Sequence, residues 1–150
     1  MAWNTILVPH DFSSCANHAT ALARDVAKAH GARIVLVHVA DLPLGLDPDA
    51  LIIPAGSTTP VRAREIAVGG AQQHLDDLAA RLQKDGVEAS TALRLGDAVD
   101  QILSTIAREG ADLVVMGTHG RSGLARLVVG SVTEKVVRQS PVPVLTLRAE

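Results

Sequence analysis

Five short β-rich runs alternate with four helical patterns along these 150 residues, and no other property narrows the available folds as far. The runs are Thr5-Ile6-Leu7-Val8, 33–39, 88–95, 113–116 and 144–147. Strands separated by helix-length segments run parallel, each connection crossing back over a face of the sheet, so both faces become covered. The expected architecture is α/β, a five-stranded parallel open sheet with helices on both faces, forming a single domain over 1–150. Right-handed crossovers give the strand order 3-2-1-4-5: the chain grows outward through its third strand and returns on the other side of its first.

Local signals place the elements. The first run stops at Pro9, and Asp11 or Ser13 can cap the helix that Gly31 closes. Ala16, Ala19, Ala23, Val26 and Ala27 recur on one face of that helix, which can therefore lie close to the sheet. Run 33–39 is nearly continuous apolar sequence, as a strand buried on both faces requires. Residues 41–60 break the alternation with four of the chain's seven prolines and read as a long loop or partial lid. A second helix follows to about Asp85, with Leu75, Leu78, Ala79 and Leu82 on one face. The more polar run 88–95 fits an edge strand. Gly96-Asp97 starts a third helix carrying Val99, Ile102 and Ile106, and Gly110 ends it. A fourth, with Val132, Val136 and Val137, stops before Pro141.

Composition excludes several functions. The 47% hydrophobic content is almost wholly aliphatic, with one Trp, one Phe and no Tyr, so aromatic stacking on bases has little to work with. A net charge of −2 gives no basic face for nucleic acid or an acidic membrane. The single Cys15 excludes an intramolecular disulfide and a cysteine metal cluster, which suits a reducing compartment. No stretch approaches the roughly 20 apolar residues of a membrane span. The expectation is a soluble, cytoplasmic protein.

The chemistry concentrates in Gly117-Thr118-His119-Gly120-Arg121-Ser122-Gly123, followed by Gly130-Ser131. Phosphate oxygens need converging N–H donors, and glycines let backbone approach without a Cβ and supply positive φ where a turn needs it. Gly130-Ser131 opens a helix, whose free amides and positive dipole end add to an anion site. The same glycines also fit an ordinary flexible strand-to-helix loop. Their location favours the ligand. Pro9-His10-Asp11 and Gly117 to Gly120 both follow strands that flank the switch point of the predicted sheet, where ligands of open α/β sheets collect.

At these residues the chain resembles the universal stress protein family, in its single-domain, ATP-binding branch. The family's spacing of Gly, two residues, Gly, nine residues, Gly, Ser or Thr is matched by Gly117, Gly120, Gly130 and Ser131. The opening Ile6-Leu7-Val8-Pro9-His10-Asp11-Phe12-Ser13, Val37-His38-Val39, Gly96-Asp97 and Ser140-Pro141-Val142-Pro143-Val144-Leu145 are similar as well. The resemblance implies a Rossmann-like, adenine nucleotide alpha hydrolase-like fold. It also implies that backbone around Val39 reads the adenine edge, while Pro9 and Asp11 line the base and ribose. Gly117, Thr118, His119, Gly120, Arg121, Ser122 and Gly123 would wrap ribose and phosphates, with Gly130, Ser131 and Val132 on the phosphate tail. Mg²⁺ would accompany ATP on phosphate oxygens. Arg121 and Arg126 either add charge-assisted contacts or are solvated. A homodimer through the exposed edge of Val144–Leu147 is implied, with an unknown protein partner.

A Walker-type Gly-Lys-Ser/Thr is absent, so efficient hydrolysis is not promised. His10, Asp11 and His119 are the candidates for orienting a water, although Asp11 reads better as a ribose or helix-cap contact. Cys15, with His10 and His18 nearby, is either a redox or metal group or a small residue packed in the first turn of its helix. His30 and His74 read as surface residues, and His38 as a strand-end packing or hydrogen-bonding residue. Three readings result: an ATP-binding stress-response module, a nucleotide-free dimer of the same fold, and a weak ATPase.

Overall fold

The computed structural model describes residues 1–119 and 129–148. Its elements are β1 (Thr5–Pro9), α1 (Ser14–His30), β2 (Arg33–Ala40), β3 (Leu51–Ile52), β4 (Val61–Arg62), α2 (Ala63–Ala67), α3 (Ala71–Lys84), β5 (Ala89–Leu95), α4 (Ala98–Glu109), β6 (Leu113–Gly117), α5 (Ser131–Gln139) and β7 (Val144–Leu147). Five strands form one sheet in the order β5-β2-β1-β6-β7, with every neighbouring pair parallel. Counting only these five, the order is 3-2-1-4-5, as the crossover argument expects. The polar β5 is an edge strand and β7 is the other edge.

Alternation along the central strands builds two cores. Ile6 and Val8 of β1, with Ile34 and Leu36 of β2, pack against Ala19, Ala23 and Ala27 of α1 and Leu75, Ala79 and Leu82 of α3. Leu7, Val35 and Val37 point the other way, onto Val99, Ile102 and Ile106 of α4 and Val136 of α5. Val137, grouped with that apolar set on sequence, is 51% exposed; on so short a helix only one stripe reaches the sheet.

The connection between β2 and α3 differs from its expected form. The second helical pattern is two helices, α2 and α3, broken at Gly69-Gly70, where Gly70 has φ 76°. A left-handed residue ends one helix and lets the next start in a new direction. Residues 41–60 are not wholly irregular either. Leu51–Ile52 pairs antiparallel with Val61–Arg62, and Asp49 receives Arg62 at 2.9 Å and Arg64 at 2.7 Å.

Helix starts follow the sequence signals closely. Ser13 Oγ accepts the Ala16 N–H at 3.2 Å, and Asp97 Oδ1 accepts the Asp100 N–H at 2.9 Å. At the opposite end of the sheet, the Asp112 carboxylate accepts the Asn4 and Thr5 amides at 2.9 and 3.0 Å, tying the start of β1 to that of β6. Burial works against its charge, but these donors outweigh burial and hold the carboxyl below its ordinary pKa.

Gly117 ends β6 under the first turn of α1. A Cβ there would run into Cys15 Sγ and lie 3.2 Å from the Cys15 carbonyl carbon. Cys15 is accordingly buried packing, its thiol directed at the Leu147 carbonyl at 3.7 Å. Gly117→Ala is expected to cost about 1–3 kcal/mol by overpacking. Cys15→Ala in the same chain should recover part of that loss. Urea unfolding of both single variants and the double variant measures the coupling, and strictly additive losses would refute the contact.

Candidate functional site

A cleft of about 690 Å³ lies across the carboxyl ends of β1, β2 and β6. Its position follows from the sheet order. α1, which follows β1, and α5, which follows β6, pack on opposite faces of the sheet, and a crevice opens between their starts. Pro9, His10, Asp11 and Phe12 form one wall, and Val39, Ala40 and Asp41 continue it at the end of β2. Gly117 and His119 follow β6, while Gly130, Ser131, Val132 and Thr133 close the cleft with the start of α5.

That helix starts without a side-chain cap, as α2 and α3 do and α1 and α4 do not. Gly130 is its N-cap and offers no side-chain hydrogen bond, unlike Ser13 and Asp97. The first helical bond runs from Glu134 N–H to Gly130 O at 3.0 Å, so the amides of Ser131, Val132 and Thr133 precede the helical ladder at the cleft. Such a turn attracts an anion through its amides and through the helix dipole. Two bonds fix its position. Gly130 N–H donates to Thr118 O at 2.6 Å, and Thr133 Oγ1 donates to Gly117 O at 2.9 Å.

The described glycines of the motif serve close approach, and positive φ is not their purpose. Gly130 has φ −60°, and a Cβ on it would lie 3.2 Å from Thr118 O. Gly117 makes room for Cys15, as shown above. Both glycines let protein pack on protein and thereby set the width of the cleft.

Of the residues singled out on sequence, Pro9, Asp11, Val39, Gly117, His119, Gly130, Ser131 and Val132 line this one cleft. Thr118 is buried behind it, its Oγ1 paired with His119 Nδ1 at 2.9 Å. Gly120, Arg121, Ser122, Gly123 and Arg126 lie outside the described residues. Among the described residues no three His, Cys, Asp or Glu side chains converge to hold a metal ion.

The sequence reading passed over an aromatic cluster on the β1 side. The Phe12 ring centroid lies 4.5 Å from His38, 5.0 Å from His74 and 5.4 Å from His10. His74 is exposed as expected, yet it also reaches Phe12 and lines the cleft. His10 Nδ1 accepts the Phe12 N–H at 3.0 Å, so the proton of the neutral ring sits on Nε2, 3.1 Å from Asn17 Oδ1. His38 Nδ1 donates to the His10 carbonyl at 2.7 Å, the strand-end bonding role expected of it. The three histidines come from the end of β1, from β2 and from α3, and no sequence spacing joins them.

Comparison with known proteins agrees with this fold. A model of the universal stress protein family matches residues 2–148. The universal stress protein in the QAH/OAS sulfhydrylase 3′ region of Thermus aquaticus is 37% identical over 147 residues, covering 97% of this chain and 99% of its own. The solved structure of MJ0577 from Methanocaldococcus jannaschii superposes with a TM-score of 0.79 at 23% identity, covering 100% of this chain and 99% of that one. The universal stress protein from Archaeoglobus fulgidus in complex with dAMP superposes at 0.67, with 21% identity over 97% of this chain and 98% of its own.

Burial, the largest influence on His10, lowers its pKa below the ordinary 6.5; His38 adds to the shift, while Asn17 and Asp11 oppose it. The unfolded chain therefore binds a proton more readily than the folded one. Stability from this group is complete above about pH 6.5 and is lost as the pH falls through the lower folded value. His10→Asn should flatten that part of the stability profile, measured as urea midpoint against pH. An unchanged acid slope would show that His10 does not carry it.

Proposed function

The chain belongs to the universal stress protein family, and we propose that it is an ATP-binding member acting as a nucleotide-dependent stress-response and signalling module. The observation that carries this reading is the cleft itself, at the switch point of the sheet and facing a helix N-terminus without a side-chain cap. Its volume lies within the roughly 300–1,000 Å³ of small-molecule sites.

The ligand's two ends have different demands, and the cleft meets both. Phosphates fit the amides of Ser131 and Val132 beside Gly130, with the Ser131 hydroxyl as a further donor. Adenine fits the end of β2, where backbone around Val39 reads its edge, and Pro9 and Asp11 line base and ribose. Gly117 and His119 face ribose and phosphates, with Thr118 behind them; Gly120 to Gly123 are assigned to the same ligand by the sequence motif alone. When bound, Mg²⁺ would neutralise phosphate charge through phosphate oxygens and water. The Archaeoglobus fulgidus relative in complex with dAMP supports an adenine nucleotide in this fold.

His10 is poorly placed to act as a general base. Both of its ring nitrogens are engaged, with Phe12 and Asn17, so neither is free to take a proton from an attacking water. The protein's output is then the nucleotide-dependent surface it shows to a partner protein in the cytoplasm. The edge strand β7, with Leu145 exposed, supports a homodimer through Val144–Leu147.

Denaturing the purified protein and identifying released nucleotide by mass spectrometry, then titrating stripped protein with Mg-ATP by calorimetry, tests the binding reading. Released or titrating ATP is expected; no nucleotide and no heat, confirmed by a second binding assay, would leave the nucleotide-free dimer. Gly130→Val should abolish measurable binding in a folded protein, and unchanged affinity would overturn the phosphate assignment. Light scattering should find a dimer at micromolar concentration and a monomer for Leu145→Arg. A monomeric parent protein would end the dimer reading.

A further inference from the structure

Phe12 has φ 65°, the only positive value at a non-glycine position among the described residues. A bulky side chain takes that conformation only where its surroundings impose it, and such strain collects at functional sites. Here its N–H is held by His10 Nδ1, while its ring packs among His10, His38 and His74. The turn it makes also presents Asp11, which lines the cleft with Oδ1 accepting the Ser13 N–H at 3.0 Å.

This hold works in one protonation state. Nδ1 accepts only while it carries no proton; protonated, it becomes a donor aimed at another donor. We propose that His10 is a positioning residue of the nucleotide cleft: its unprotonated Nδ1 keeps the Asp11–Phe12 turn ligand-ready, and protonation releases the turn and weakens adenine nucleotide binding. The inference rests on the nucleotide reading above.

The other titratable groups around the site behave differently. His38, from β2, donates through Nδ1 to the His10 carbonyl, and a second proton leaves that bond intact. His74, from α3, touches Phe12 by its ring edge. His119, beyond β6, faces a hydroxyl that can accept as well as donate. Asp11 on the same turn favours a charged His10, and Asp41 lines the cleft beyond β2. Burial outweighs Asp11 and keeps His10 neutral near neutrality, so release belongs to the acid side.

Two measurements test the proposal separately from the nucleotide reading. In nucleotide-stripped protein, NMR should show His10 Nδ1 unprotonated at about pH 7.5, and the Phe12 amide should shift with the His10 midpoint on acidification. A Phe12 amide indifferent to that titration would overturn the hold. Calorimetry with Mg-ATP from about pH 7.5 to about pH 5 should then show wild-type affinity falling about tenfold more than that of His10→Asn. The asparagine keeps an acceptor there and cannot titrate. His10→Ala should bind about tenfold more weakly than His10→Asn at about pH 7.5. Protonation of ATP itself is common to all three proteins, so equal pH slopes in wild type and His10→Asn would overturn the coupling to binding. If wild type binds no Mg-ATP, the nucleotide reading falls, and the amide titration still decides whether His10 holds the turn.

Discussion

Ile6, Leu7 and Val8 have no solvent exposure, because β1 is the strand from which both cores are built. A strand buried on both faces must be flanked on both edges, and here β2 takes one edge and β6 the other. The chain cannot continue along β1 past Pro9 without leaving the sheet. It turns onto one face, where α1 packs, while α5, the helix that follows β6, packs on the opposite face. The cleft results from satisfying the central strand in this way, before any ligand is considered.

What the cleft offers is mainly backbone. α1 and α4 start on side chains that accept their first-turn amides, whereas α5 starts on Gly130, held by the Thr118 carbonyl. Replacing Gly130 with a serine or aspartate would supply a capping oxygen for those amides, but its Cβ would press on Thr118 O. Close packing and an open anion site are therefore one constraint. The same applies at Gly117, whose missing side chain brings the first turn of α1 down onto the end of β6.

The strand order was legible because the alternation of apolar runs and helical patterns admits few chain paths, and right-handed crossover removes most of the rest. The capped helix starts and the glycine motif were legible for a related reason, since each is encoded within a few consecutive residues. The break was marked by the pair Gly69-Gly70, but apolar positions on both sides of it read as one helix. The reason for Gly117 was hidden: Cys15 lies in another element, and only the fold brings the two together. Phe12 stood in a recognised motif, but neither its left-handed backbone nor its three histidine neighbours leave a mark in local sequence. Long-range side-chain clusters of this kind depend on how β2 and α3 arrive at the end of β1.

The cleft carries the one non-glycine residue with positive φ among the described residues. Phe12 occupies a backbone region disfavoured for bulky residues, and the first turn of α5 starts without a side-chain cap, while the sheet and both cores beneath are regular. A fold can carry local strain of this size only when packing elsewhere over-determines the path. The rigid part is the floor, where β1, β2 and β6 end in fixed register. The responsive part is the rim, where His10 holds a turn by a single acceptor nitrogen. Floor and rim meet at His10, whose N–H donates to Val37 O at 2.8 Å while its ring accepts the Phe12 N–H, so a proton gained at Nδ1 acts on the ligand side of the cleft.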